Sequence, residues 1–413
     1  MSLAETPVID WQPEDPATLA DPYPLFARMR DEDPCHWSPR LKSWVLTRYD
    51  DVRTVCLDRE QRVSSDRLRP YFETLPAPEA QRIAQIVRYL SQWMVFKDPP
   101  DHTRLRRLLG RVFHARALQA MRPQVEAIAA QLLDALDGRE EFDAIADFAG
   151  PLPCLVIMAM LGVPAADLPR IKQMSDDMAL FIGSSRTSAA KYEAAEAATA
   201  EMAAYFLALI AQRRREPRAD MLSELVNLRD DDGSALGDDE LVGSCIMLLF
   251  AGHETTTNHI ANGLWSLMRF PGEMARLRAD PGMAAQAVEE LLRYDGPSGA
   301  QVRVVRRAHE LHGRELGEGQ RVFIMLNAAN RDPRAYADPD RLDLGRQGPQ
   351  HLTFGLGLHM CLGFPLARTE GQAAFPALLA RFRSIEPVSS APEWINSLVF
   401  RGMTGLPVRV RRA

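Results

Sequence analysis

Apolar residues along this chain recur mostly at helical spacing and only locally alternate. Leu25, Phe26 and Met29 share one helix face within residues 22–34. Ser43-Trp44-Val45-Leu46-Thr47 reads as a strand, after which Asp50-Asp51 open another helix. Residues 68–96 are rich in large apolar side chains but are interrupted by Pro70, Pro76 and Pro78. They fit either ordinary core or an apolar lid over a pocket. From 117 to 230 the pattern is a run of amphipathic helices, broken at Gly138, Gly150-Pro151, Gly162-Val163-Pro164 and Glu216-Pro217. Within it GPLPCLVIMAMLGVP predicts a buried helix. Met174, Met178, Leu180, Phe181 and Ile182 fit core and lid equally. The longest helix starts near Asp238 and runs to about Phe270. QVRVVRRAHEL, a turn at His312-Gly313 and RVFIML predict a hairpin-rich β element. A helix containing Phe375-Pro376 should kink there, and FRGMTGLPVRVRR closes the chain as a hairpin and strand.

This pattern predicts a mainly α fold with a small β region, as a single domain over residues 1–413. Length alone suggests two or three domains, but no linker, repeat or low-complexity tract divides the chain. A hydrophobic content of 46% supplies a sizeable core, and a net charge of −6 argues against global nucleic-acid binding. Cys35, Cys56, Cys154, Cys245 and Cys361 form no CxxC pair. That disfavours a zinc site or a disulfide framework and points to a reducing compartment. The leading MSLAETPVIDWQPEDP lacks the basic-then-apolar order of a secretion signal. No uninterrupted apolar run reaches spanning length. The expectation is a cytoplasmic protein without membrane attachment.

Three stretches carry candidate chemistry. FGLGLHMCLG, residues 354–363, holds Cys361 among Gly355, Gly357 and Gly363, just ahead of a helix. Glycines let backbone press against a flat object, and a helix N-terminus lowers a thiol pKa. A buried structural cysteine in a glycine turn fits the same residues. The long helix carries the polar group Gly252-His253-Glu254-Thr255-Thr256-Thr257 in its middle, a poor helix-forming stretch. The threonines can bond back to the preceding turn. Alternatively the glycine makes room beside a flat cofactor, while the neighbouring acid and alcohol relay protons. In DPPDHTRLRRLLGRVF, His102 and Arg106 lie on one helix face, with Arg104, Arg107 and Arg111 around them. Glu290 and Arg293, in QAVEELLRY, are spaced to pair.

The spacing F-G-x-G-x-H-x-C-x-G followed by Leu366-Ala367-Arg368 resembles the haem signature of the cytochrome P-450 family, and the likeness extends over nearly the whole chain. It implies that Cys361 ligates the iron of haem b (iron protoporphyrin IX), with Phe354, Gly355 and Gly363 against the cofactor. It implies that His102, Arg106, Arg303 and His359 bind the haem propionates, with Arg306 or Arg307 as alternatives to Arg303. Gly252 to Thr255 is similar to the family's acid–alcohol motif, which makes Glu254 the acid and Thr255 the alcohol. Glu290 and Arg293 would join Arg341 in a structural triad. Met247, Phe250, Ala251, Gly299 and Leu398 would face substrate. The activity implied is insertion of one atom of O2 into a mainly apolar small molecule. Electrons would come from a ferredoxin or flavodoxin with its reductase, docked on the basic patch around Arg104, Arg107 and Arg111. A peroxide-driven enzyme is the alternative, which the Glu254-Thr255 pair disfavours; a non-catalytic haem- or ligand-binding protein is a further one.

Overall fold

A computed structural model describes residues 9–182, 189–230 and 233–412. Helices α1 (Pro16–Ala20) and α2 (Tyr23–Glu32) lead into strands β1 (Cys35–Ser38) and β2 (Ser43–Leu46), helix α3 (Tyr49–Leu57) and strand β3 (Val63–Ser64). Then come α4 (Leu68–Glu73), α5 (Ala77–Arg82), α6 (Ala84–Leu90), α7 (Asp101–Val112), α8 (Ala115–Ala120) and α9 (Arg122–Asp134). After β4 (Glu141–Asp143) follow α10 (Pro151–Met160), α11 (Leu168–Ile182), α12 (Ala189–Arg215), α13 (Met221–Asn227), α14 (Asp238–Arg269), α15 (Pro271–Ala279) and α16 (Ala284–Asp295). The remainder is β5 (Ala300–Val305), β6 (His309–Leu311), β7 (Arg314–Leu316), β8 (Arg321–Met325), α17 (Leu326–Ala329), α18 (Phe364–Arg381), β9 (Phe382–Pro387) and β10 (Pro407–Arg412).

The long helix α14 is the spine. Asp238, Asp239 and Glu240 occupy its first turn, and the Glu240 carboxylate accepts the Gly237 amide at 3.0 Å. Both suit the positive end of a helix. From Leu241 to Phe250 every residue is buried, because α10, α12, α16 and α18 pack round this half and beyond. The apolar α10 is buried almost all round, as its unbroken hydrophobic stretch predicts. α18 passes through Pro376 and remains helical to Arg381. Tyr192–Arg215, within α12, is long and apolar enough to cross a bilayer, but here it packs against α6, α11, α13 and α14.

The β part is small. One sheet has the order β1-β2-β8-β5-β3, with β2 and β8 parallel and the other pairs antiparallel. His312 and Gly313 turn β6 into β7 at positive φ, as expected. The third sheet, β4-β10-β9, departs from the sequence reading. Residues 117–230 were expected to be a run of helices with a break at Gly138, yet just after that break Glu141–Asp143 is a strand. Its partner is β10, with Phe142 opposite Val408.

Candidate active site and cofactor cradle

Cys361 sits in a loop folded by its glycines. Gly355 and Gly357 have φ of +66° and +67°, a region that disfavours side chains. A Cβ on Gly357 would also stand 2.9 Å from the Cys56 carbonyl, so this residue lets the loop lie on α3. The Cys361 amide donates to the Phe354 carbonyl at 2.8 Å, closing the loop. A Cβ on Gly363, the residue capping α18, would meet open space. The thiol departs from expectation. Burial pushes its pKa up, and the Gly363 and Phe364 amides with Arg106 and Arg368 only partly offset this. The helix start alone does not make a thiolate; a metal cation would.

Beside the loop four basic side chains converge without a carboxylate. His102 is fully buried on α7, and neither of its ring nitrogens has a partner. Its ring centroid lies 4.2 Å from that of His359. Arg106, one turn along, donates to the Met360 carbonyl at 2.7 Å. Arg303, buried on β5, donates to Val302 O at 3.0 Å and Gln301 Oε1 at 2.9 Å. Burial and then Arg106 push His102 down to about 4; burial, then Arg303 and His102, push His359 down to about 3. No carboxylate among the described residues is within ion-pair distance of these four. Buried donors of this kind call for an anion. The two alternatives are engaged elsewhere: Arg306 faces Asp98 at 3.8 Å, and Arg307 donates to the Glu60 carbonyl. An orphaned buried histidine, paired arginines, an open glycine face and a nearby cysteine fit the propionates, plane and iron of a haem.

On α14, Thr255 Oγ1 donates to Ala251 O at 3.0 Å, so the back-bonding expected of the threonines is present. Ala251 is exposed although Leu249 and Phe250 beside it are buried. His253 is buried, and its Nε2 lies 3.0 Å from Glu254 Oε1. Gly252 does not open room for a cofactor, as its position in the motif suggested. A Cβ there would lie 3.0 Å from Ile157 Cγ1, so it lets α10 approach α14. We expect Gly252→Leu to cost about 1–3 kcal/mol in urea unfolding, the usual overpacking penalty.

The expected substrate contacts divide. Met247 and Phe250 are closed over by neighbours; the Phe250 ring packs on Trp93 at 5.6 Å and Phe400 at 6.2 Å. Ala251 is exposed, and Gly299 and Leu398 are part-buried against one another. Val95, in the apolar segment before α7, is 43% exposed. Met174 and Met178 belong to the core, Phe181 packs on Tyr192, and the Leu180 side chain lies outside the described residues. Two ties run from α12 to residues 68–96. Tyr192 and Tyr71 share a hydrogen bond between hydroxyls at 2.9 Å, and Glu196 accepts the Gln85 and Ile86 amides at 2.8 and 3.0 Å.

Sequence reading missed Arg67, whose signal was a basic residue at the head of an apolar segment. Its guanidinium lies 4.8 Å from the Phe96 ring centroid, and burial, with Arg303 and Arg321, pushes it down to about 10.

The triad needs correction. Glu290 pairs with Arg293 at 2.7 and 2.8 Å, but the third member is Arg346, at 3.1 Å, not Arg341. The Arg341 side chain is exposed; its carbonyl accepts from Arg346 at 2.8 Å. The arginines expected to form a free basic patch are partly engaged. Arg104 pairs with Glu240, Arg107 with Asp230 at 2.6 Å, and Arg111 donates to Arg229 O at 2.7 Å.

Comparison with known proteins places this geometry. The sequence profile of cytochrome P450 matches residues 35–281 and 282–402. Cytochrome P450 monooxygenase PikC of Streptomyces venezuelae is 38% identical, covering 100% of this chain and 96% of its own. The crystal structure of CalO2 superposes with a TM-score of 0.90 at 32% identity, covering 98% and 100% of the two chains. P450BioI, solved in complex with hexadec-9Z-enoic acid ligated acyl carrier protein, superposes at 0.88 with 32% identity, covering 96% and 99%.

Proposed function

The chain belongs to the cytochrome P450 family and is a monooxygenase, and from that premise we propose that it inserts one atom of O2 into a mainly apolar small molecule, by hydroxylation or epoxidation. Electrons come from an external ferredoxin or flavodoxin with its reductase. The observation that carries this reading is the cluster of buried, anion-free His102, Arg106, Arg303 and His359 beside Cys361. Haem is the family's cofactor, and haem b with a thiolate ligand supplies the oxygen-activating chemistry when bound.

The chain's own residues do the rest. Cys361 supplies the sulfur ligand from a loop that Gly355 and Gly357 fix against α3. His102, Arg106, Arg303 and His359 hold the propionates, which neutralise their charge. Phe354, Gly355 and Gly363 line the cofactor. Glu254 and Thr255, adjacent on α14, hold and pass protons next to the exposed Ala251 face. Ala251, Gly299 and Leu398 border the substrate, whose apolar class fits these uncharged positions. P450BioI is seen with a fatty acid on a carrier protein, so a carrier-bound acyl chain belongs among the substrates to try. All five cysteines are free and four are buried, which supports a reducing compartment such as the cytoplasm.

The test is a ligand titration of the purified ferric holoenzyme followed by reconstituted turnover. We expect a saturable spin-state shift with an apolar ligand, and product formed with NAD(P)H, a redox partner and O2. Product formed only with hydrogen peroxide would replace this reading with the peroxide-driven one.

A further inference from the structure

His253 lies between two acceptors. Its Nδ1 is 2.9 Å from the Leu249 carbonyl oxygen, and its Nε2 is 3.0 Å from Glu254 Oε1. The second contact lies off the line of the ring N–H, making it ionic more than a well-aligned hydrogen bond. A neutral imidazole carries one proton, which the Leu249 carbonyl engages at Nδ1, and leaves Glu254 Oε1 3.0 Å from an uncharged ring. With the His253 side chain only 3% exposed, water cannot reach Nε2 to screen that carboxylate. We propose that His253 is an imidazolium in the resting enzyme and that it is the positioning residue for Glu254, holding the acid ionised and fixed beside Thr255. This rests on the reading of Glu254 and Thr255 as the proton-handling pair and supplies what that pair needs, a buried counter-charge.

The surroundings agree. Burial alone would push His253 down, but Glu254 and the Leu249 carbonyl outweigh it and the net direction is up. Burial would push Glu254 up, but His253 and then Lys172 outweigh it and the net direction is down. The other charged groups facing the pair come from α11. Lys172 and Asp176 are bonded to each other at 2.9 Å, so their charges largely cancel. From α10 comes Cys154, a buried thiol pushed up to about 12 and therefore neutral. A histidine raised in this way holds its proton to higher pH than a free imidazole and loses it as pH rises through its folded pKa. The counter-charge is then lost on the alkaline side.

The decisive measurement is the nitrogen NMR spectrum of 15N-histidine-labelled holoenzyme in its diamagnetic ferrous–carbon monoxide form, with His253 assigned by the loss of its signals in His253→Gln. We expect two protonated ring nitrogens at pH 7 and a midpoint above the ordinary imidazole value of about 6.5. Glu254→Gln should move that midpoint below it. A neutral ring at pH 7 would overturn the proposal. The second readout is product formed per NAD(P)H consumed. We expect His253→Gln, with haem content retained, to lose about tenfold in coupling, less than the roughly 10²-fold of a lost proton-transfer group because Glu254 itself remains, and to lose the alkaline limb of the wild-type profile. Coupling equal to wild type at every pH, where Glu254→Gln is impaired, would show that His253 positions nothing. If Glu254→Gln itself couples normally, the reading of Glu254 as proton carrier is what fails and the positioning role goes with it. The nitrogen spectrum still decides the ion pair.

Discussion

Cys361→Ser will keep the fold and lose the thiolate-ligated haem spectrum together with monooxygenase turnover. The loop does not depend on the sulfur. Gly355 and Gly357 supply the turns, the closing bond is from the Cys361 amide to the Phe354 carbonyl, and serine keeps that amide. What serine cannot supply is a soft anionic ligand, since its hydroxyl stays protonated where a metal-bound thiol does not. Removing an outer-shell partner of a metal ligand typically costs about 10- to 100-fold, and removing the ligand should exceed that. The checks are the absorption of the ferrous–carbon monoxide complex, circular dichroism and product formation. Wild-type turnover in a folded serine variant would remove Cys361 from the site and with it the assignment of the four basic side chains around it.

Arg346→Ala will destabilise the holoenzyme by about 1–3 kcal/mol, the usual cost of leaving a buried polar group short of a hydrogen-bond partner. Arg341→Ala will stay within about 0.5 kcal/mol, as exposed positions usually do. Glu290 is 3% exposed in its side chain. Its Oε1 accepts from Arg293 at 2.8 Å, Arg346 at 3.1 Å and the Asp343 amide at 3.0 Å. Arg346 also donates to the carbonyls of Ala337, Asp338 and Arg341. Its loss therefore leaves Glu290 still balanced by Arg293 but one donor short, and three carbonyls short of a donor, whereas Arg341 contributes only backbone. Urea unfolding with haem release as a parallel probe separates the two; equal effects would contradict the arrangement.

What the sequence made legible was local. The bounds of α14, the Cys361 loop and the spacing of His102 and Arg106 follow from residues within a turn or two of each other. What it hid depended on distant partners. Arg341 and Arg346 stand five residues apart in one irregular segment, and only the path of that segment decides which reaches Glu290. β4 is three residues long and exists because β10, near the chain's end, lies beside it. The role of Gly252 depends on the rotation of α14 against α10, and the burial of Phe250 depends on Trp93 and Phe400, neither near it in sequence. For the Cys361 thiol the local effect was read correctly in sign but was outweighed by burial, which no short window reveals.

The two ties from α12 have a mechanical consequence. Tyr192 and Glu196 are four residues apart, hence on one face a turn apart, and they grip α4 through Tyr71 and the start of α6 through Gln85 and Ile86. Swinging α12 outward alone would break one hydroxyl pair and two carboxylate–amide bonds at once, so these bonds couple the three helices to one another. Paired reporters on α4 and α12 are expected to keep a fixed separation when ligand is added, and Tyr71→Phe with Glu196→Gln to release it.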